Sequence, residues 1–411
     1  MRTLRTLLVV FGLVIVAAGP AAAAPPSTDH NVNAGAATAW LASQVAGDGH
    51  LDSAVGPYSA TAQAVPLFVG TGVGLDHVPT MLTYLGAHVD DFAKFDGTDH
   101  AAELGYLILA AVAGGQSPTA FGSPSTDLIA RLEATEQTTG TDTGLFGSQD
   151  ATFDGAFRQG IALLALDAAG VTPDAAAVTW LSDQQCPDGF WAPHRDTTLP
   201  CPAVDLNTFT GPDTNSTAMA AIGMQVSGST TEAAAGVAAL KTVRNADGAW
   251  GFFALSSQTT DANSTGVVVT ALQLVDGATD PQGVAALEAL QVGCDGDPAD
   301  IGGVAFQGPP PLAPDNLATV QAAPAMAGIT VPVTEGATAT TPSYCVAATT
   351  TTTVVTTVPA TTPTTTEPGS AVQADELART GSADLPLTVI AVGLVGGGVV
   401  LVRAARRRQR S

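Results

Sequence analysis

Basic and aromatic residues are both scarce in this chain of 411 residues. Aromatic residues make up 5% of the sequence, and 14 lysines and arginines face 37 aspartates and glutamates. Between residues 25 and 345 only six basic residues occur against 33 acidic ones, which gives that stretch a formal charge near −27. A protein that binds phosphates needs a basic patch, so nucleic acid is excluded as a partner. The acidic excess favours solubility.

Cysteine is equally rare, with four in the whole chain. No Cys-x-x-Cys spacing occurs, and His194 is the only histidine near a cysteine, so we predict neither a metal site nor a cofactor. An even number of cysteines suits disulfides in an exported protein. Of the three possible connectivities we favour Cys186–Cys201 and Cys294–Cys345, because each pair brackets a loop segment rich in Pro and Asp.

The amino-terminal segment 1–24 has the pattern of a secretory signal peptide. Arg2 and Arg5 precede a short apolar run, and small residues follow it. That apolar run is too short to span a bilayer as a stable helix. We therefore expect export and cleavage near Ala22 or Ala23, and an uncleaved membrane anchor is the alternative.

The segment 377–411 combines three features in a fixed order. A pentapeptide comes first, an apolar run over 385–402 follows, and five arginines lie among the last nine residues. The apolar run is long enough for a transmembrane helix, and arginines stay cytoplasmic, so the preceding chain lies outside the cell. The pentapeptide consists of Leu377, Ala378, Arg379, Thr380 and Gly381.

This arrangement resembles the cell-wall sorting signal of Gram-positive surface proteins, whose pattern is Leu-Pro-any-Thr-Gly. Ala378 stands at the second position, as in the variant form of some high-GC Gram-positive bacteria. The resemblance implies that a sortase cysteine attacks the Thr380 carbonyl, releases Gly381 and joins Thr380 to a peptidoglycan amine. The expected location is the cell wall or cell surface, and a single-pass membrane protein is the alternative.

A low-complexity segment separates the sorting signal from the rest of the chain. Residues 346–376 are rich in threonine and proline, a composition that has little to bury and favours an extended stalk. The stretch 31–345 is then left as one domain with a sizeable core.

The domain repeats one pattern about six times, which decides its fold class. An apolar residue is followed by a polar one four positions later, and then by Asp-Gly with an aromatic or aliphatic residue two positions on. The copies lie at Trp40–Leu51, Met81–Phe95, Leu132–Phe146, Trp180–Trp191, Leu240–Trp250 and Leu287–Phe306, with Gly303 taken as the glycine of the last copy.

An alanine-rich segment with helical spacing follows each copy. Several open on residues that cap helices, as at Asp213, Asp261 and Asp315. Strand signals are scarce. The repeating unit is therefore a helix, an Asp-Gly loop and a capped helix, and alternation of outer and inner helices predicts an all-α protein with an α6/α6 toroid.

The repeat resembles that of prenyltransferases and squalene cyclases, in which an aromatic residue, a glutamine four positions on and Gly-any-Trp recur. Trp180, Gln184, Gly189 and Trp191 match this motif, and the resemblance covers roughly residues 31–330. It implies the toroid, although a fold does not fix a function. The acidic cluster of terpene cyclases is missing, and so are the histidine of the prenyltransferase zinc site and aromatic residues in sufficient number.

Loop and cap residues of the two clearest repeats are the candidates for ligand binding. Their positions in the loops and caps also suit purely structural roles. A Ser/His/Asp set stays open, although no Gly-any-Ser-any-Gly elbow occurs. The candidates are Asp188, Trp191, Asp213, Asn215, Asp247, Trp250, Asp261 and Asn263.

Two functions remain in view. The absence of a recognisable catalytic set favours a wall-anchored toroid that binds a small molecule, a glycan or another partner without catalysis. The alternative is a glycan-acting enzyme, a hydrolase or lyase, that uses a pair of carboxylates at the mouth of the toroid.

Overall fold

The computed structural model describes residues 30–147, 155–338, 340 and 344–345. The predicted signal peptide 1–24, stalk 346–376 and sorting signal 377–411 lie outside these residues, and so do the sortase residues within them. A search of the described residues for a helix long and apolar enough to cross a membrane finds none.

The described residues form a mostly helical structure. One short antiparallel hairpin pairs Lys94 with Asp99 and Phe95 with Thr98. The elements in chain order are α1 (His30–Ser43), α2 (Pro57–Thr71), α3 (Val78–Ala87), α4 (Val89–Ala93), β1 (Lys94–Phe95), β2 (Thr98–Asp99), α5 (Ala101–Ala113), α6 (Leu128–Glu133), α7 (Ala156–Ala168), α8 (Ala175–Asp183), α9 (Thr214–Val226), α10 (Thr230–Thr242), α11 (Ala262–Asp276), α12 (Pro281–Glu288) and α13 (Asn316–Ala327).

The helices form two concentric layers. The inner helices α2, α5, α7, α9, α11 and α13 contact one another in that order, and α13 returns to α2 to close the ring. The outer helices α1, α3, α6, α8, α10 and α12 alternate with them along the chain. This is the toroid that the repeat predicted.

Small residues allow the inner helices to approach closely. Ten of the 13 residues of α9 and ten of the 15 residues of α11 are buried, as expected for helices surrounded by protein on most sides. A Cβ added at Gly223 of α9 would lie 2.7 Å from the Cα of Gly160 of α7. Larger side chains at these two positions would therefore push the two helices apart.

The loop between outer and inner helix has the same geometry in five repeats. Its glycine has φ between 92° and 97°, which a residue with a Cβ rarely adopts. A Cβ on four of the glycines would also come within 2.8 Å of backbone atoms in the next outer helix, and at Gly248 the nearest such atom is 3.0 Å away. The five glycines are Gly49, Gly144, Gly189, Gly248 and Gly302.

The last of these glycines corrects the predicted register of the sixth copy. Gly302, not Gly303, has the positive φ, and its Cβ position lies 2.7 Å from the carbonyl oxygen of Ala36 in α1. Two adjacent glycines made the register ambiguous in the sequence. The loop of the last repeat thus packs on the first outer helix.

The second copy departs from the pattern. Between α3 and α5 the chain forms α4 and the β1–β2 hairpin, and its Asp96-Gly97 pair lies at the turn of this hairpin instead of against the next outer helix. Arg131 of α6 anchors this insertion, because its guanidinium pairs with Asp99 and also lies 2.9 Å from Asp90. Gly97 in the hairpin has open space around its Cβ position.

Polar contacts and a disulfide reinforce the closure of the ring. The Gln291 amide donates to the carbonyl oxygens of Asn33 and Gly302, both at 2.8 Å. The Trp40 indole N–H donates to the Ala299 carbonyl at 2.9 Å. Cys294 pairs with Cys345 across a sequence separation of 51, and Cys186 pairs with Cys201 across 15.

Candidate functional site

The starts of the inner helices form a rim held by repeated backbone contacts. At three of these starts, the first N–H of the helix donates to a loop carbonyl oxygen of the following repeat. The N–H groups of Ala156, Thr214 and Ala262 donate to the carbonyls of Pro193, Phe252 and Phe306, at 2.7, 2.8 and 2.9 Å respectively. Adjacent repeats are thereby joined at the same end of the toroid. We call this end, defined by the first two turns of the inner helices, the rim.

Aspartates cap three of these helices, as the sequence predicted. The Oδ1 atoms of Asp213, Asp261 and Asp315 accept from backbone N–H groups three residues on, at 2.6, 2.7 and 2.8 Å. Each bond satisfies an N–H group that has no partner within its own helix. The caps place three carboxyl groups on the rim.

A second repeated hydrogen bond fixes how the inner helices are rotated. In five repeats the residue two positions after the loop glycine donates its N–H to a side chain near the start of the following inner helix, at 2.8–3.1 Å. The pairs are Leu51 with Thr61, Phe146 with Gln159, Trp191 with Thr217, Trp250 with Thr265 and Val304 with Thr319.

These bonds indicate which side chains turn towards the ring centre. The bonded side chain points to the loop, and residues two positions before and after it lie about 200° around the helix. That opposite side carries Asn215 and Met219 on α9 and Asn263 and Val267 on α11. We call this side of the inner helices, near their starts, the central face.

The central face carries polar groups that the repeat motif did not reveal. The Gln321 amide of α13 donates to the Gln63 side chain of α2 at 3.1 Å, and Gln63 donates to the Ser59 hydroxyl at 3.0 Å. Gln321 Oε1 and Asn263 Oδ1 are buried and have no hydrogen-bond partner within the described structure. Buried polar atoms nearly always have a partner, so ordered water or a ligand fits these positions.

Burial shifts the acidity of two of the caps. It raises the pKa of Asp213 to about 7 and that of Asp261 to about 6, although hydrogen bonds from Ser216 and Ser264 oppose the shift. Asp213 is 1% exposed, and its Oδ2 has no hydrogen-bond partner in the described structure. Asp261 Oδ2 accepts from the Ser264 hydroxyl at 2.9 Å. Asp213 is therefore a carboxyl group that can hold its proton near neutral pH.

The carboxyl group of Glu103 lies near Tyr106 on α5. Burial raises the pKa of Tyr106, the negative charge of Glu103 adds to the shift, and the positive charge of Arg158 on α7 opposes it. Both charges therefore lie close to the phenol. Glu103 Oε2 is itself buried without a hydrogen-bond partner among the described residues.

The loop aspartates lie apart from the central face. Asp188 is exposed and accepts from the Phe190 N–H at 3.4 Å. Asp247 is also exposed, and it accepts from the Ala249 N–H at 3.2 Å and the Thr260 hydroxyl at 2.6 Å. Both carboxylates stabilise their own loops.

The two tryptophans are buried, which corrects their assignment as ligand contacts. Trp191 and Trp250 are 0% exposed. Their indole N–H groups donate to the Leu181 and Leu240 carbonyls, both at 2.8 Å. Each ring thus packs between the outer and inner layers.

Sequence reasoning found the capping aspartates of the rim and, on the central face, Asn215 and Asn263, but it missed the other polar groups. Gln63, Glu103, Tyr106 and Gln321 belong to no repeated motif. The available signal was positional, because Gln321 lies two residues after the Thr319 that bonds the loop.

No group of three or more metal-ligating side chains occurs among the residues described. A surface groove of about 350 Å³ lies between α1 and the loop at Pro298.

No protein-family model matches the sequence, and no curated protein does so either. Solved structures match the fold. Unsaturated glucuronyl hydrolase from Bacillus sp. GL1, described as responsible for the degradation of glycosaminoglycan, has a TM-score of 0.52 at 13% identity, covering 75% of this chain and 98% of that one. A UGL variant with dGlcA-Glc-Rha-Glc has a TM-score of 0.51 at 12% identity, covering 75% and 98%.

These similarities establish the toroid fold and correct one expectation. The sequence favoured a toroid without catalysis, and that preference is wrong, since the toroids that match along almost their whole length include a glycan-degrading hydrolase. The sequence analysis took the missing catalytic motif as evidence against catalysis, but carboxyl groups that also cap helices leave no separate motif in the sequence.

Proposed function

We propose that the toroid is a glycan-acting enzyme, a hydrolase or lyase, whose carboxyl groups are Asp213 and Asp261. The observation that carries the proposal is the buried Asp213 carboxyl group, which has an unpartnered oxygen and a pKa raised to about 7. General acids of glycan-cleaving enzymes need such a raised pKa. The similarity to a toroid that degrades glycosaminoglycan supports the substrate class.

The two carboxyl groups take different roles in proton transfer because their pKa values differ. Burial raises the pKa of Asp213 to about 7 and that of Asp261 to about 6, so Asp213 is the better proton donor of the two and Asp261 the better acceptor. In a hydrolysis, Asp261 accepts a proton from water as the water oxygen bonds to the anomeric carbon. Asp213 donates its proton to the departing glycosidic oxygen. A pH–rate profile with a maximum between these values is expected.

Turnover of a panel of purified polysaccharides tests this proposal. Asp213→Asn and Asp261→Asn should each lower turnover by about 10²–10⁴-fold, because asparagine still caps the helix but cannot exchange the proton. Asp315→Asn is the matched control, since Asp315 is a cap of the same kind. Equal losses in all three variants, or no turnover of any polysaccharide by the unmodified protein, would contradict the proposal.

We further propose that the toroid is displayed on the cell wall through Thr380. The support is the order of the carboxyl-terminal sequence: a sorting pentapeptide, an apolar run over 385–402 and a basic end. A stalk over 346–376 gives the sortase an accessible substrate and separates the domain from the wall.

Fractionation of the producing cells tests the attachment. Thr380→Ala should leave the protein in the membrane fraction, extractable by detergent, and deletion from Leu385 onward should release it into the medium. The unmodified protein should resist boiling detergent and require wall-digesting enzymes for its release. Full-length protein that leaves the envelope in mild detergent would point instead to a plain membrane anchor.

A further inference from the structure

Exposed apolar side chains concentrate near one part of the rim. The large hydrophobic residues that are exposed in the described structure lie in two loops, one before α9 and one before α11. These residues are Leu199, Leu206, Phe209 and Leu255, with 60%, 53%, 36% and 36% exposure. An exposed apolar patch of this kind on a soluble protein commonly marks a binding surface.

Three phenylalanines from these loops contact one another. Phe209 stacks on Phe252 with ring centroids 5.1 Å apart and an angle of 20° between the planes. Phe253 meets Phe209 edge-on at 4.7 Å and Phe252 at 5.0 Å. Phe253 is 6% exposed, so it is the buried member of the three. Phe209 packs against both of the other rings and is still 36% exposed, so its exposed surface is what a ligand can contact. We call these three rings the phenylalanine platform.

The platform is joined to the proposed catalytic cap through the backbone. Asp213 forms an antiparallel bridge with Phe253. The Thr214 N–H donates to the Phe252 carbonyl at 2.8 Å, and the Ala254 N–H donates to the Pro212 carbonyl at 3.2 Å. The platform is therefore held beside Asp213, with Phe209 only four residues before it in the chain.

The loop that carries Phe209 is held in an unfavourable backbone conformation. Phe209 has φ 57°, in the left-handed region that bulky residues rarely adopt. Two backbone hydrogen bonds between Asp205 and Thr210, of 2.9 and 3.2 Å, close the turn that contains it. The Cys186–Cys201 disulfide restrains the chain before this turn. Such a conformation persists where the surroundings fix it, so the ring position is set before any ligand arrives.

The surroundings of the platform select among possible ligands. The turn that carries Phe209 also carries the short, exposed polar side chains of Asn207, Thr208 and Thr210. An apolar ring edged by hydroxyl and amide groups matches a sugar, which has an apolar C–H face and a hydroxyl periphery. Hydrogen bonds from Asn207 and Thr208 lower the pKa of the neighbouring Asp205, so its negative charge repels uronate and sulfated sugars.

We propose that Phe209 and Phe252 form a stacking subsite for a neutral pyranose ring next to Asp213. The subsite deepens the glycan-acting function proposed above and rests on it for the substrate class. Binding to the subsite and turnover at Asp213 and Asp261 are separate events, so they can be measured independently.

The test is an equilibrium titration followed by NMR of the sugar protons. The probes are linear tetrasaccharides of glucose, mannose and galactose, with a tetrasaccharide of equal length that contains glucuronate. For the unmodified protein we expect binding of a neutral probe and upfield shifts of C–H protons that lie over an aromatic ring. Phe209→Ala should weaken this binding roughly tenfold and abolish the shifts.

Two further variants complete the design. Leu199→Ala removes an apolar side chain that is more exposed than Phe209 and lies in the segment between the disulfide cysteines, and it should bind as the unmodified protein does. Phe209→Tyr keeps an aromatic face and should retain both the affinity and the shifts.

The possible outcomes separate the subsite from the catalytic proposal. Unchanged binding in Phe209→Ala overturns the subsite, and so does tighter binding of the glucuronate probe or the failure of every neutral probe to bind. Capture of an alkyl glycoside through its alkyl chain, in place of a neutral tetrasaccharide, overturns it as well. Binding that depends on Phe209 without any turnover supports the subsite and contradicts the proposed catalysis.

Discussion

Asp213 and Asp261 each combine a structural task with an unusual acidity. A capping carboxyl group normally lies at the protein surface, where water stabilises its charge. Here the helix starts are covered by the loops of the following repeat, and the two caps are 1% and 4% exposed. The same burial that makes the caps part of the packed rim therefore raises their pKa values.

The raised pKa of Asp213 predicts how stability depends on pH. The carboxyl group binds a proton more tightly in the folded protein, with a pKa of about 7, than in the unfolded chain, where the ordinary value is 3.8. Its contribution to the free energy of unfolding is fully present below pH 4 and is lost as the pH rises towards 7. The loss is on the order of 4 kcal/mol.

Asp213→Asn should remove this part of the pH dependence while keeping the cap. Calorimetric melting at several pH values between 4 and 8 measures it, as a smaller fall in melting temperature than in the unmodified protein. Asp261→Asn is the internal comparison, because the pH dependence that it removes should end near pH 6, where the raised pKa of Asp261 lies. Parallel curves for Asp213→Asn and the unmodified protein would argue against a buried proton at this position.

The sequence indicated the capping residues and could not indicate their burial. Asp-any-Asn-Ser-Thr predicts a helix start from local chemistry alone. The exposure of a cap depends on the loop that folds over it, here residues 252–254 over Asp213, and that contact joins different repeats. The positions of Glu103 and Tyr106 beside Arg158 likewise depend on how α5 and α7 meet.

At the scale of elements, the loop glycines explain why a weak sequence repeat specifies a regular structure. Each of the five combines a positive φ with a close approach to the next outer helix. The backbone conformation and the packing of the loop therefore both require glycine at this position. The sequence predicted this unit correctly at Gly49, Gly144, Gly189 and Gly248, and failed where two glycines adjoin or where a hairpin replaces the loop.

Two glycines with similar φ allow the packing requirement to be measured. Gly189 has φ 92°, and its Cβ position lies 2.6 Å from the Ala235 carbonyl oxygen, whereas Gly228 has φ 83° and open space. Gly228→Ala should cost about 1–2 kcal/mol through backbone strain alone. Gly189→Ala should cost about 1–3 kcal/mol more, because α10 must move.

Urea unfolding of the two alanine variants tests this difference. The circular dichroism spectra of the two native variants should be alike, because both substitutions lie outside the helices. Equal midpoints for the two variants would mean that the loop moves freely to accommodate the added methyl group.

At the scale of the whole molecule, closure of the ring distinguishes this protein from an open array of repeats. The loop at Gly302 packs on α1, and Gln291 bonds to Asn33, so the first and last repeats stabilise each other. Closure joins residues about 260 positions apart, and the local sequence pattern could not determine it. The repeat number and the small residues of the inner helices favoured a ring without fixing its contacts.

The two disulfides should stabilise the fold to different extents, because they close loops of different length. In the chain-entropy description, a separation of 51 residues restricts the unfolded state by about 4 kcal/mol and one of 15 by about 3 kcal/mol. Replacing both Cys294 and Cys345 by Ser should thus lower the free energy of unfolding more than replacing Cys186 and Cys201. Denaturant unfolding of the two double variants under oxidising conditions measures the difference, and the reverse order would show that native contacts outweigh chain entropy.

The Cys294–Cys345 bond also decides how the domain bears a mechanical load. A pull on the chain beyond residue 345 reaches Cys345 first and passes through the covalent bond to Cys294, in the loop that follows α12. Residues 295–344, including the ring-closing helix α13, are bypassed by the tension. Tension therefore enters the toroid where Gln291 and Glu288 bond to α1, and the last inner helix cannot be peeled away by its own end.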